Sequence, residues 1–440
     1  MAASAPDVLF ARGLLAVLIP VALAAPMRWA VAAWLVMTNL DASGSGGPAT
    51  AQVGWLNAVK AVALPGWLLL RLRRVPGRLE SSLGGRAWLL LAIYAGLSAL
   101  WSEFPLAGAK LAAGMAGILL AGMALERAAR TGALEQGLIL RFLAASLGLA
   151  LFQTVFFADG SFGFAGRGMP QRLTSFVSAQ QFAALLAALL AWLLWVPKVR
   201  PGLRTALGLG LFAALAANGS RTWSAGALVI LLIHTVTCRR DLAGFLRVAA
   251  AVLLLVSVPA VRRGLAKQPA AEPANRLTAT ASALLTGQDR ADGMGLGTAR
   301  FRLAMYRGVM EAMSRNTASQ WIFGRGSASG GRLGLELFPY AYRAESLDAN
   351  RVIHNEWLRA AYEWGAIGEL LWACTLGATA VFAWRQRRRP EGAALLAYLP
   401  AFLLGASAEN VMDGAGNAVT AGLLVLVGLA LAAGREESRG

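Results

Sequence analysis

Two histidines occur in the 440 residues. His234 lies inside the apolar run "ALVILLIHTVTC" and reads as structural. His354 opens "HNEWLRAAYEWGAIGELLW", where a long apolar helix begins with a histidine and an asparagine and carries Glu356, Arg359 and Glu363 in its first turns. An imidazole with a reference pKa of about 6.5 accepts protons near neutral pH, which suits a general base. Asn355 is of an N-cap type. The bland alternative for His354 is a polar residue of an interfacial belt.

Four arginines could supply positive charge to the same chemistry. "GRGMPQRLTSF" carries Arg172 and "NGSRTWS" carries Arg221. "TARFRLAMYRGVMEAM" carries Arg302 and Arg307 on a helix whose apolar face is Phe301, Met305, Val309 and Ala312. A guanidinium presents a planar fork matched to phosphate oxygens, so convergence on one anionic group is a reasonable expectation. The competing readings are arginines snorkelling at helix ends and a helix lying on the membrane surface. Glu409 and Asp413, in "SAENVMDGAGN", could orient His354 or pair with an arginine. The turn "FGRGSASGG" matches neither the P-loop nor the dinucleotide fingerprint and reads as a flexible loop. No metal-ligand cluster and no nucleotide-binding motif stands in these segments, so no cofactor is expected.

The elements that must hold these residues are membrane helices. Hydrophobic residues make up 57 % of the chain and charged ones 15 %, against about 25 % charged in a soluble domain. Apolar runs near 53–70, 87–102, 106–124, 137–157, 174–196, 203–217, 222–237, 243–261, 357–384, 393–410 and 416–433 approach span length. Residues 8–40, interrupted by Pro20 and Pro26, are expected as one bent span rather than a hairpin and as a first span rather than a removed signal, giving about twelve spans.

The net charge of +18 falls mostly in clusters flanking these runs, such as "RLRRVPGR" and "RQRRRPE", which mark cytoplasmic loops and speak against nucleic acid as a partner. Cys238 and Cys374 stand on different helices and give no disulfide framework. The expected fold is an all-α polytopic membrane protein. Its parts are spans 1–9 over 1–261, an external loop with an amphipathic helix over 262–356, and spans 10–12 with a short tail over 357–440.

The long segment 262–350 holds twelve Arg and Lys against seven Asp and Glu, so the expected external loop is basic and an anionic ligand such as a phosphate is its natural candidate. The helix opened by His354 would run about 45 Å. That is longer than the hydrocarbon core, which would leave its charged first turns among headgroups.

"HNEWLRAAYEWGAIG" is His-Asn, nine residues, then Gly365-x-x-Gly368. This pattern resembles the signature of the O-antigen ligase family, within the wider group of bacterial oligosaccharide ligases and polymerases. Arg172 in "RLTSF", Arg221 in a Ser-Arg pair, and "RFRLAMYRGVMEAM…WIFGRG" are similar to further segments of that family, and the likeness covers about 160 to 434. One departure is "VSAQQF" after "RLTSF", where the family often shows Asn-Pro-Asn.

The resemblance implies an inverting, metal-independent glycosyltransferase of the bacterial inner membrane, with its site on the periplasmic side. It would move O-antigen polysaccharide from undecaprenyl pyrophosphate to lipid A-core, among membrane lipids. His354 would be the general base, and Arg172, Arg221, Arg302 and Arg307 would stabilise the pyrophosphate. A polymerase or O-oligosaccharyltransferase using the same donor is the nearest rival. A transporter or flippase of lipid-linked sugars is the rival from another class.

Overall fold

The protein's structure, a computed structural model, describes residues 6–42, 54–75, 85–157, 173–196, 200–237, 250, 297–337, 353–409, 411 and 418–436. Arg172, Asp413 and, but for residue 250, the span expected at 243–261 lie outside the described residues. Among the described residues the chain is all helical, and the one β-type pairing is an isolated bridge between Leu40 and Phe176. Among the described residues, four helices are long and apolar enough to cross a membrane: α1 (Pro6–Ala24), α6 (Pro105–Arg130), α7 (Gln136–Phe156) and α14 (Glu356–Arg385).

Shorter apolar helices complete the bundle. They include α2 (Met27–Met37), α5 (Arg86–Ser98), α8 (Ala179–Trp195), α9 (Pro201–Asn218), α10 (Arg221–Thr237), α15 (Pro390–Ala406) and α16 (Ala418–Glu436). Between α2 and α5 the chain forms α3 (Gly54–Ala58), a π turn over Val59–Ala63, and α4 (Leu64–Arg71). α8 is apolar on every side and almost wholly buried, so it is the central helix, packed by α9, α10, α15 and α16. Small residues let these axes approach: Gly422 packs on Ala188, and Gly226 on Ala401.

Residues 8–40 are not one bent span. α1 and α2 turn at Ala25–Pro26 and run antiparallel, since the Arg12 guanidinium donates through Nε to the Ala42 carbonyl at 2.9 Å. Pro26 cannot donate a backbone hydrogen bond, which ends one helix and starts the next. Arg71 donates to the Ala25 carbonyl at 2.8 Å and Arg28 pairs with Glu135, so this corner shares one end of the bundle with the basic loops. At the opposite end, Phe10 of α1 meets Phe157 and Phe176.

That opposite end carries three helices of the long inter-span segment: α11 (Gly297–Ser314), α12 (Ala318–Phe323) and α13 (Gly330–Leu337). The amphipathic α11 does not lie on a membrane surface by its apolar face. Met305 and Val309 are fully buried, and Val309 forms a small core with Met313, Leu333, Ile353 and Tyr362.

α14 is not a continuous 30-residue rod either. Gly365 has φ 63° and ψ −164°, a combination essentially reserved for glycine, and breaks it into a nine-residue arm, 356–364, and a span, 366–385. The broken turn leaves carbonyls without helical partners, and the glycine-rich turn fills them. The amide of Arg325 donates to the Tyr362 carbonyl at 3.1 Å, and that of Gly326 to the Glu363 carbonyl at 2.8 Å.

"FGRGS" is therefore a plug on the helix break and not a loose loop. Ser327 anchors it further, donating to the Ala95 carbonyl at 2.7 Å while the Trp364 indole donates to its hydroxyl at 2.8 Å.

The charges of the arm are buried rather than bathed in headgroups, which corrects the expectation from helix length. Glu356, Arg359 and Glu363 are at most 2 % exposed. They are tolerated because each has a partner. Glu356 contacts Arg359 at 2.9 Å and accepts the Val411 amide at 3.2 Å. Glu363 accepts the amides of Ala328 at 3.0 Å and Gly330 at 3.3 Å, beside the first turn of α13. Glu363→Ala is expected to strand these buried amides and cost about 1–3 kcal/mol, read as a lower melting temperature in detergent.

Candidate functional site

Each site residue is held by a local device. Asn355 caps the arm: its side-chain oxygen accepts the amides of Trp357 at 3.0 Å and Leu358 at 3.1 Å. Its polarity is spent on the helix end, which fixes the backbone of His354 immediately before it. The Tyr306 hydroxyl donates to the His354 carbonyl at 2.6 Å and lies 3.3 Å from the Ser407 carbonyl. One side chain of α11 thus ties the histidine to the turn after α15. Burial is the first cause raising the Tyr306 pKa and the Glu409 carboxylate adds to it, against lowering by Arg302 and a hydrogen bond with Asn355. The phenol therefore stays a donor through mildly alkaline pH.

Glu409 is the hub. It pairs through one oxygen with Arg302, and its other oxygen lies 3.6 Å from Nδ1 of His354. That second separation is too long for a hydrogen bond and becomes an ion pair when the imidazole holds a second proton. The Glu409 side chain is 10 % exposed and that of His354 is 33 % exposed, so a shielded carboxylate backs an accessible imidazole. The carboxylate stands on the Nδ1 side, so the ring edge that carries Nε2 is the one left to act as base. Arg302 and Tyr306 are four apart on α11 and share a face, which is why both reach this point.

Arg307 lies about 140° around α11 from Arg302 and is exposed, so the structure does not bring it to His354. Arg221 begins α10. That helix runs antiparallel to α15, with Gly226 against Ala401 and Trp223 against Gly405. Continuing this register puts Arg221 level with the Ser407–Glu409 turn.

The chain just after position 172 is pinned to the turn that precedes Arg221. The Leu173 amide donates to the Ala217 carbonyl at 3.2 Å, and Asn218 Nδ2 donates to the carbonyls of Leu173 at 2.7 Å and Ala179 at 2.9 Å.

The structure thus gathers His354, Glu409 and Arg302 directly and places Arg221 at the same end. Sequence reasoning missed Tyr306, although its four-residue spacing from Arg302 was the available signal. It also missed the buried Glu356–Arg359 pair beneath the site, which holds the Val411 amide two residues past Glu409.

An apolar groove of about 690 Å³ opens at the other end of the arm, lined by Tyr94, Leu97, Leu100, Trp101, Phe323 and Arg325 among others. Tyr94 ties its two walls, donating to the Phe323 carbonyl at 3.0 Å with the Trp364 carbonyl at 3.2 Å. Set beside known proteins, the chain matches no protein-family model and no curated protein.

Proposed function

We propose that the chain is a membrane glycosyltransferase of the O-antigen ligase kind, moving a glycan from undecaprenyl pyrophosphate to a hydroxyl of lipid A-core. The observation that carries this reading is the meeting of His354, Glu409 and Arg302, from three separate segments, at the end of the bundle away from the basic loops. The proposal includes a plan of about thirteen crossings of a bacterial inner membrane, since residues 8–40 supply a helical pair beside the eleven further runs, with the 297–337 helices on the periplasmic side.

In the step proposed, the acceptor oxygen attacks the anomeric carbon while His354 takes its proton. The bond from that carbon to the pyrophosphate oxygen breaks, and the leaving group departs with its electron pair. A single displacement inverts the anomeric centre. Arg302 and Arg221, with Arg172, carry the positive charge that faces the pyrophosphate, as preorganised electrostatic stabilisation. Arg302 does this while paired with Glu409, because a guanidinium has five N–H donors. Arg307, on the outer face of α11, is assigned to the approach of the anionic donor. The groove beside Tyr94 and Phe323 suits a lipid tail entering sideways.

The test is transfer by purified protein in nanodiscs, with undecaprenyl-pyrophosphate glycan offered with and without lipid A-core, in chelator and without nucleotide. Glycan on lipid A-core supports the ligase. Lengthened glycan on the carrier alone makes it a polymerase, and no product in either tube sinks the reading. Glu409→Gln, which keeps shape and removes charge, is expected to slow transfer about 10²-fold by releasing His354 and Arg302 together.

A further inference from the structure

Away from the histidine, one buried cation is unused by the proposed chemistry. Lys60 is 5 % exposed and sits in the π turn over Val59–Ala63. Such turns insert an extra residue into a helix and are often found at functional positions. This one presses the Ala61 carbonyl against Gly117 of α6, and the Trp34 indole donates to the Lys60 carbonyl at 2.9 Å. An ammonium inside an apolar bundle is costly unless partnered. The Lys60 ammonium donates to the Leu40 carbonyl, and the Asp41 carboxylate acts on its charge.

Leu40 and Asp41 belong to a short non-helical strap after α2, and this strap grips a second one. Leu40 bridges Phe176, the Asp41 amide donates to the Phe176 carbonyl at 2.7 Å, and the Ser175 hydroxyl donates to Asn39 at 3.2 Å. Thr174, Ser175 and Phe176 are fully buried. Irregular backbone at such depth persists only where protein satisfies its polar groups. The second strap in turn holds the Ala217–Asn218 turn through Leu173, and the next helical residue is Arg221. A chain of contacts therefore runs from Lys60 through Leu40–Asp41, Phe176 and Leu173 to the turn that carries Arg221.

We infer that Lys60 is a positioning residue for the anion site: it acts through the two straps to hold Arg221 against the pyrophosphate and touches no substrate itself. This rests on the proposed function, since it takes Arg221 as a phosphate ligand. Removal of the ammonium frees the first strap, and the cost falls on donor binding rather than on proton transfer at His354. Lys60→Met keeps the apolar stem and loses the donor, whereas Lys60→Arg keeps a donor.

The experiment is a double-mutant cycle on binding of undecaprenyl pyrophosphate to protein in nanodiscs, with transfer kinetics alongside. Lys60→Met is expected to weaken carrier binding and to lower kcat/KM for the donor about tenfold, leaving the acceptor KM within about threefold, with Lys60→Arg restoring most of the loss. In an Arg221→Gln background the same substitution is expected to add less than about threefold, because its effect runs through Arg221.

An equal loss in both backgrounds, or a fall in kcat with unchanged donor binding, overturns the inference. Should Lys60→Met fail to fold, Ser175→Ala cuts the same path with little loss of packing, and additivity with Arg221→Gln is then the overturning result. Wild-type protein that neither binds the carrier nor transfers glycan defeats the proposed function itself. Wild-type binding that Lys60→Met leaves intact defeats this inference alone.

Discussion

His354→Ala is expected to lower glycan transfer by about 10²- to 10⁴-fold while the protein keeps its melting temperature and its affinity for the lipid-linked donor. The side chain is a third exposed and the Glu409 carboxylate lies 3.6 Å from its ring, so its loss removes little packing. The parts that hold the backbone stay in place, because Asn355 still caps the arm and Tyr306 donates to the carbonyl of residue 354 rather than to its ring. The loss should therefore appear in kcat and not in donor binding. The comparison that decides it is turnover at saturating donor beside the dissociation constant of undecaprenyl pyrophosphate. An alanine variant with full turnover would remove the general base from the proposal. One that lost donor binding in equal measure would make His354 a ligand instead.

Much of the site could be read in the sequence because its residues break the local pattern. A histidine, a short-tethered arginine and a glutamate just past a helix end have no apolar role, so they stand out against apolar runs and basic loops. What could not be read was pairing across distance. Nothing in the spacing of Glu356, Arg359 and Glu363 says that they are buried, because a charge among headgroups and a charge satisfied by a distant amide look alike in one dimension. The same holds for the glycine-rich turn after Phe323. Its composition speaks of freedom, yet the amides of Arg325 and Gly326 are consumed by the carbonyls of Tyr362 and Glu363 in a later helix. The α1–α2 corner was missed for a different reason: a proline inside an apolar run fits a kink and a reversal equally, and only the Arg12–Ala42 contact separates them.

Gly365→Ala is expected to be as damaging as loss of the histidine, through the backbone instead of the chemistry. A Cβ at that position would stand 2.5 Å from the Gly324 nitrogen and 2.6 Å from the Ile322 oxygen. Both are main-chain atoms, so no rotamer change relieves the clash, and an L residue also resists the φ of 63°. Either the arm straightens or the glycine-rich plug is expelled, and both routes unseat the Tyr362 and Glu363 carbonyls from their amides. Strain of about 1–3 kcal/mol from the dihedrals alone, before the clash, should lower the melting temperature measurably.

The catalytic cost follows from leverage. The arm of nine residues is about 14 Å long, so even a modest swing at Gly365 carries His354 by several ångströms, where about 1 Å of misplacement costs 10²-fold. Gly377→Ala, on the same helix with nothing within 4 Å of its new Cβ, should be neutral or slightly stabilising. Near-normal melting and transfer in Gly365→Ala would show that the break does not set the height of the histidine. Loss of both, with Gly377→Ala intact, would explain the nine-residue spacing between His-Asn and the first glycine: it is the length of the lever.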